Sequence, residues 1–212
     1  MSVKIKICGI RTFDDIRIMN RYRPDFTGFI LAKSQRKVEI PELKSLLKEL
    51  NIEITPVGVF VNETIDKVLE AIEVGIRVVQ LHGDESEEYI EALTKKLENS
   101  SIKIWKAIRI GEDPLGDMLK LENYVGVDGI LLDRFSAKAY GGTGEVFNWK
   151  SFEKYPFKQG IILAGGLKAE NVMTGIQYLK PFCVDVSSGV ELDGKKDENK
   201  VKELISLLRE NK

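Results

Sequence analysis

Three fragments of the 212-residue sequence place reactive side chains where strands should end: Lys6-Ile7-Cys8-Gly9-Ile10, Asp128-Gly129-Ile130-Leu131-Leu132-Asp133 and Asp185-Val186-Ser187-Ser188-Gly189-Val190-Glu191. Each is a buried-type strand that runs into a polar or glycine-rich exit. The first delivers a thiol, the second a carboxylate, and the third two hydroxyls beside backbone N–H groups. Thiols and carboxylates move protons, and a Ser-Gly turn can cradle an anion. The combination points to proton transfer on a phosphorylated small molecule.

Strand alternation indicates which side chains meet. Val3, Ile5 and Ile7 share one face, and Lys4, Lys6 and Cys8 the other. Gln80 and His82 oppose Val79 and Leu81, and Asp185 and Ser187 oppose Val184 and Val186. With the apolar faces packed under helices, the polar faces converge on one end of a common interior, at a desolvation cost that a purely structural core avoids. A lone strand cysteine is ordinarily a small buried hydrophobe. Lys6, one inward layer below, predicts instead a stabilised thiolate at Cys8 that can accept a proton. Asp133 either caps a turn or holds a proton in a low-dielectric pocket and donates it. His82 is the only histidine. It is either a neutral ring held by backbone hydrogen bonds or part of the site. Without a second histidine or a cysteine pair at ligand spacing, no metal is expected.

The expected anion cradle is formed by two consecutive exits, Gly165-Gly166 and Ser187-Ser188-Gly189. Glycines permit close backbone approach, and serines add hydroxyl donors. Ala164-Gly165-Gly166-Leu167 has neither the lysine of a P-loop nor the spacing of a dinucleotide motif. The connection from Arg134 to Asn148 runs 15 residues and includes Gly141, Gly142 and Gly144, which predicts a lid over the ligand.

These groups need a scaffold. Apolar runs at 3–8, 26–31, 55–61, 77–82, 103–109, 127–133, 159–164 and 182–187 alternate with helical spacing over Pro41–Leu50, Thr64–Val74, Ser86–Leu97, Ala169–Leu179 and Lys200–Leu208. Thr12 with Asp14 and Asp15, Thr64, and Ser86 with Glu87 and Glu88 read as helix starts, and Gly75 as a stop. Eight strand–helix units of about 26 residues each predict an α/β fold, a (β/α)8 TIM barrel forming a single domain over residues 1–212. An open doubly wound sheet would have five or six strands.

Composition narrows the partners. The chain carries 32 basic and 33 acidic residues and is 43% hydrophobic. No basic stripe interleaved with aromatics appears, so nucleic acid and anionic membrane are not expected partners. No apolar run approaches the ~20 residues of a membrane span. Residues 1–10 have no apolar h-region, which points to a cytoplasmic protein. Cys8 and Cys183 fall at opposite ends of their strands, so two free thiols are expected.

At this point the motifs identify a resemblance. Lys6-Ile7-Cys8-Gly9, Gly28-Phe29-Ile30, Ser34-Gln35-Arg36, Val57-Gly58-Val59-Phe60, Gln80-Leu81-His82-Gly83, Leu132-Asp133, Gly141-Gly142-Thr143-Gly144, Leu163-Ala164-Gly165-Gly166-Leu167 and Asp185-Val186-Ser187-Ser188-Gly189-Val190-Glu191 together resemble the phosphoribosylanthranilate isomerases of tryptophan biosynthesis over nearly the whole chain. The resemblance implies an Amadori rearrangement without a cofactor; the sequence is compatible with a monomer or a homodimer. Asp133 would be the general acid and Cys8 the general base. Arg36 would pair with the anthranilate carboxylate. Gln80, His82 and Asp185 would contact substrate, and Gly142, Gly165, Gly166, Ser187, Ser188 and Gly189 would bind its phosphate.

Gln35, Arg134 and Asn148 depart from the family pattern, which bears on loop stiffness and substrate affinity rather than on reaction type. Glu63, Asp84 and Glu85 at the opposite strand exits would repel a second phosphate, so one phosphate is expected. The rivals are another phosphosugar barrel enzyme, such as a ribulose-phosphate epimerase or an indoleglycerol-phosphate synthase, and a non-catalytic phosphoribosyl-binding barrel. The epimerase's metal-type ligands and the synthase's lysine–glutamate set are missing from the sequence.

Overall fold

The computed structural model describes residues 3–111, 116, 124, 126–134, 148–152, 157 and 160–210. Eight parallel strands close into a barrel: β1 (Lys4–Cys8), β2 (Phe26–Ile30), β3 (Thr55–Phe60), β4 (Val78–Leu81), β5 (Lys103–Ile110), β6 (Gly129–Arg134), β7 (Gly160–Leu163) and β8 (Cys183–Val186). Around it lie α1 (Phe13–Tyr22), α2 (Ile40–Glu49), α3 (Ile65–Val74), α4 (Glu87–Leu97), α5 (Ala169–Leu179) and α6 (Glu198–Glu210). The predicted strands and helices coincide with these within a residue or two at most ends. The barrel closes where β1 pairs with β8, Lys6 opposite Asp185.

Both faces of the sheet are buried, which is why its strands read as nearly continuous apolar runs. Phe26, Val57, Val78, Trp105, Leu131, Ile162 and Cys183 fill the interior. The Phe26 ring meets Trp105 edge-on, with centroids 5.0 Å apart. Ile5, Ile7, Phe29, Leu81 and Val184 face the helical layer. Below the interior plug the strand starts are tied by carboxylates: Asp25 accepts from the Ile5 N–H at 3.0 Å and Asp128 from the Ile104 N–H at 2.9 Å. Asp128 therefore belongs to the scaffold and Asp133, five residues on, to the mouth. No helix among the described residues is long and apolar enough to cross a membrane.

Local chemistry sets the helix ends. Thr12 and Asp15 form a capping box, with the Asp15 N–H donating to Thr12 Oγ1 at 3.1 Å and the Thr12 N–H to Asp15 Oδ2 at 3.0 Å. Gly75 ends α3 at φ 132, a conformation that side chains rarely adopt. Helix α6 begins before the predicted Lys200, because Asp197 Oδ1 accepts from the Lys200 N–H at 2.9 Å. Trp149–Phe152 forms a 3-10 turn. A short hairpin, β9 (Glu191–Leu192) with β10 (Lys195–Lys196), follows β8; alternation could not reveal strands of two residues. The proposed lid lies almost wholly outside the described residues, and so does Gly142.

Candidate active site

The C-terminal ends of the strands carry the polar groups, as the alternation predicts. On one side Cys8 ends β1, 7% exposed. Lys6 lies one inward layer below, fully buried, and its Nζ donates to Asp185 Oδ2 at 2.6 Å. Burial works against the ammonium, but the Asp185 carboxylate outweighs it and holds Lys6 above the ordinary lysine range. This pairing corrects the expectation for Cys8. Burial pushes the thiol up, Lys6 opposes, and burial wins because the lysine's charge is already shared with Asp185. Gly28 of β2 stands opposite Cys8, and a Cβ there would fall 2.7 Å from Cys8 Sγ and 3.1 Å from Lys6 Nζ. The glycine makes room for the reactive pair. Cys183 is also a free thiol, buried and paired in register with Lys4 at the foot of the barrel.

On the other side Asp133 is 5% exposed. Its Oδ1 accepts from the Arg134 N–H at 2.8 Å, and its Oδ2 lies 3.1 Å from His82 Nε2. His82 Nδ1 in turn lies 3.0 Å from Gln80 Nε2. The amide donates to Nδ1, which leaves Nε2–H to donate to the carboxylate. Gln80 and His82, expected as substrate contacts, thus stand behind Asp133 and orient it. Gln80 Oε1 and Asp185 Oδ1 are buried acceptors without a partner among the described residues.

The two predicted cradle exits touch. Gly165 and Gly166 have φ 81 and 66. A Cβ at Gly165 would lie 2.8 Å from Asp133 Oδ1, and one at Gly189 only 1.9 Å from the Leu167 carbonyl oxygen. Backbone therefore packs on backbone beside the acid, which only glycine permits. Asn171 Nδ2 holds the Gly166 carbonyl at 3.0 Å, at the start of α5. The hydroxyl of Ser187 is not a free donor, since it donates to the Cys8 carbonyl at 3.0 Å and ties the β8 exit to the β1 exit.

Arg36, on the loop after β2, grips Glu191: Nε donates to Oε1 at 2.9 Å and Nη2 to Oε2 at 2.7 Å. Lys196 Nζ also reaches Glu191 Oε1, at 2.7 Å. Burial alone would raise the Glu191 carboxyl, but these two cations hold it down at about 2. The loop is further tied by Arg11, which donates to the Gln35 carbonyl at 2.7 Å and to the Gly194 carbonyl at 2.9 Å. Sequence reading gave Glu191 and Lys196 no role. The signal was Asp193-Gly194, a hairpin turn with φ 50 and 73 that sets Lys196 opposite Glu191.

At the exits of β3 and β4 the expected surface charge is largely paired. Glu85 is turned inward and buried: it accepts from the N–H groups of Asn62 at 2.9 Å and Gly83 at 3.1 Å, and from Lys106 Nζ at 3.0 Å. Asp84 pairs with Arg109. Glu63 faces Lys67 at 3.5 Å, so none of the three carboxylates is a bare repelling charge. Glu85 instead occupies the N–H donors that an anion would need.

Comparison with known proteins bears on this geometry. Residues 5–206 match the family model described as N-(5′-phosphoribosyl)anthranilate (PRA) isomerase. The N-(5′-phosphoribosyl)anthranilate isomerase of Clostridium acetobutylicum is 46% identical, covering 99% of this chain and 100% of that protein. Among solved structures, monomers made from the dimeric enzyme of Thermotoga maritima superpose with a TM-score of 0.83 at 34% identity, covering 98% of this chain and 99% of that one. A phosphoribosylanthranilate isomerase in complex with reduced 1-(o-carboxyphenylamino)-1-deoxyribulose 5-phosphate does so with 0.82 at 33% identity, over the same shares.

Proposed function

The chain belongs to the N-(5′-phosphoribosyl)anthranilate isomerase family, and from that membership we propose how its side chains divide the reaction. The enzyme is an isomerase of tryptophan biosynthesis with a phosphorylated small-molecule substrate, N-(5′-phosphoribosyl)anthranilate, which it converts to 1-(2-carboxyphenylamino)-1-deoxyribulose 5-phosphate. Asp133 gives its proton to the furanose ring oxygen, and the ring opens to a Schiff base. Cys8, deprotonated against a burial penalty that Lys6 limits, takes the proton from C2 and leaves an enolamine. Tautomerisation adds a proton at C1 and removes one from the C2 hydroxyl, so the proton count closes. The observation that carries this assignment is the burial of Cys8 and Asp133 at the ends of two inward-facing strands, with the Gly165 turn packed against the Asp133 carboxylate.

Other residues serve these two. His82, held by Gln80, orients Asp133 by its hydrogen bond at 3.1 Å. Lys6 limits the burial penalty on the Cys8 thiolate. Asp185 keeps a buried acceptor, Oδ1, for a substrate hydroxyl. The phosphate lies on the backbone of Gly165, Gly166, Ser188 and Gly189, with the Ser188 hydroxyl as a further donor; Ser187 shapes this cradle through its bond to Cys8. Arg36 receives the anthranilate carboxylate. One phosphate is bound, because Glu85 fills the donors on the opposite rim. The protein acts as one catalytic domain over residues 1–212, in the cytoplasm, as a monomer or homodimer. Loss of anthranilate-derivative fluorescence on incubation of purified protein with N-(5′-phosphoribosyl)anthranilate tests the reading. Absence of turnover by folded protein would refute it.

A further inference from the structure

Arg36 is held more firmly than a carboxylate partner on a surface loop needs to be. Its Nε and Nη2 atoms face Glu191 at 2.9 and 2.7 Å. That is the side-on edge of the guanidinium, so the end-on edge, Nη1 with the second Nη2 hydrogen, remains for another acceptor. Glu191 is fixed from behind. Lys196 Nζ reaches its Oε1 at 2.7 Å and the Ser187 carbonyl at 3.0 Å. Lys200 Nζ holds the Glu191 carbonyl at 2.8 Å. The Glu191 and Lys196 side chains are 7% and 1% exposed, too buried to act as solvent-screened surface charges. The stem of Arg36 is confined as well, because it lies over Gly9, where a Cβ would come within 2.7 Å of Arg36 Cδ. An unanchored arginine on such a loop would sample many rotamers.

We propose that Glu191, anchored by Lys196, is a positioning residue that grips the side-on edge of Arg36 and presents its end-on fork to the mouth, making the site selective for a ligand with a planar carboxylate. The inference rests on the reading of Arg36 as the carboxylate partner. A loosely held cation attracts any anion, whereas a fork fixed in direction favours two parallel hydrogen bonds to a carboxylate. Arg36 and Lys196 with Glu191 leave one net positive charge, which one ligand carboxylate neutralises. Glu191 could instead compete with substrate for Arg36. That alternative has the opposite sign: removing the competitor would tighten carboxylate binding.

Calorimetry on the full chain separates the two. The probes are reduced 1-(o-carboxyphenylamino)-1-deoxyribulose 5-phosphate and its phenyl counterpart lacking the carboxyl group. Glu191→Gln should weaken the carboxylate ligand by about 10-fold, the scale of one charge-assisted hydrogen bond, and leave the phenyl ligand unchanged. KM should rise with kcat unaltered. Glu191→Asp, which keeps the charge but withdraws the fork, should move in the same direction, and it carries the test if the glutamine variant does not fold. Tighter binding of the carboxylate ligand, or equal weakening of both ligands, would overturn the proposal. Discrimination that persists in Arg36→Ala would show that Arg36 is not the clamp. Discrimination lost there but kept in both Glu191 variants would defeat the positioning role alone.

Discussion

Gly28→Ala tests whether the space opposite Cys8 is catalytic. Gly28 is absent from the positive-φ residues, so alanine meets no backbone strain and the methyl's volume is the whole perturbation. Its Cβ would fall 2.7 Å from Cys8 Sγ, 3.1 Å from Cys8 Cα and 3.1 Å from Lys6 Nζ. Apolar contacts settle at about 3.5–4.0 Å, so the thiol must retreat by roughly 1 Å. A displacement of about 1 Å costs on the order of 10²-fold in rate, and overpacking a tight interior costs about 1–3 kcal/mol. At this chain length each kcal/mol lowers Tm by about 2–4 °C. The expected result is a kcat on the order of 10²-fold lower, with nearly unchanged affinity for the reduced product, whose carboxylate and phosphate are held elsewhere. The assay is initial-rate fluorescence beside calorimetry with the reduced product. Gly160→Ala is the control, since the atoms nearest its Cβ all belong to Phe182, at an ordinary 3.5 Å or more; it should retain full activity. Wild-type kcat in Gly28→Ala would refute the claim that Sγ position limits the rate.

Three further outcomes follow from buried charge and donor occupancy. Glu85→Ala strands the buried Lys106 ammonium and should cost about 3–5 kcal/mol in urea unfolding, much of it recovered in the Glu85→Leu/Lys106→Met double variant. Glu191 titrates at about 2 in the fold against an ordinary 4.5. The unfolded chain therefore binds the proton more readily, and the stabilisation is present above about pH 4.5 and lost as pH falls toward 2. Urea midpoints should drop less between about pH 5 and pH 3 in Glu191→Gln than in wild type. A crystal grown in phosphate should show an ordered anion at Gly165-Gly166 and none at Gly83, and an aminoaldose substrate with a phosphate at each end should not be isomerised.

The barrel was legible because both strand faces are buried and the helices carry conventional start signals; runs such as Ile130-Leu131-Leu132 and caps such as Thr12 leave few alternatives. Alternation puts Cys8 and Asp185 on the inward face, the strand end places Asp133 at the mouth, and the glycine-rich exits show as turns; alternation fixes the face of a side chain but not its partner. Partners were where the reading fell short. Alternation puts Lys6 beside the thiol, yet its shortest bond is to Asp185 across the β1–β8 seam, 179 positions away in sequence. Glu85 reads as a surface charge from its own segment, and the signal against that lies elsewhere, in Lys106 within the apolar run Ile104-Trp105-Lys106-Ala107-Ile108, where a lysine on the helical face calls for a buried counter-ion. The Arg36–Glu191 pair joins the second strand's exit to a two-residue hairpin, and nothing local in either segment announces the other.

Two proton transfers carry the reaction, and their most direct measurement is turnover of N-(5′-phosphoribosyl)anthranilate by Cys8→Ala and Asp133→Asn, each with its affinity for the reduced product. Both variants should bind that ligand nearly as wild type does and lose at least ~10²-fold in kcat, the scale of a positioned general acid or base. Wild-type turnover by either would contradict the assignment, and after a null result for Asp133, Asp185 would be the next acid to test.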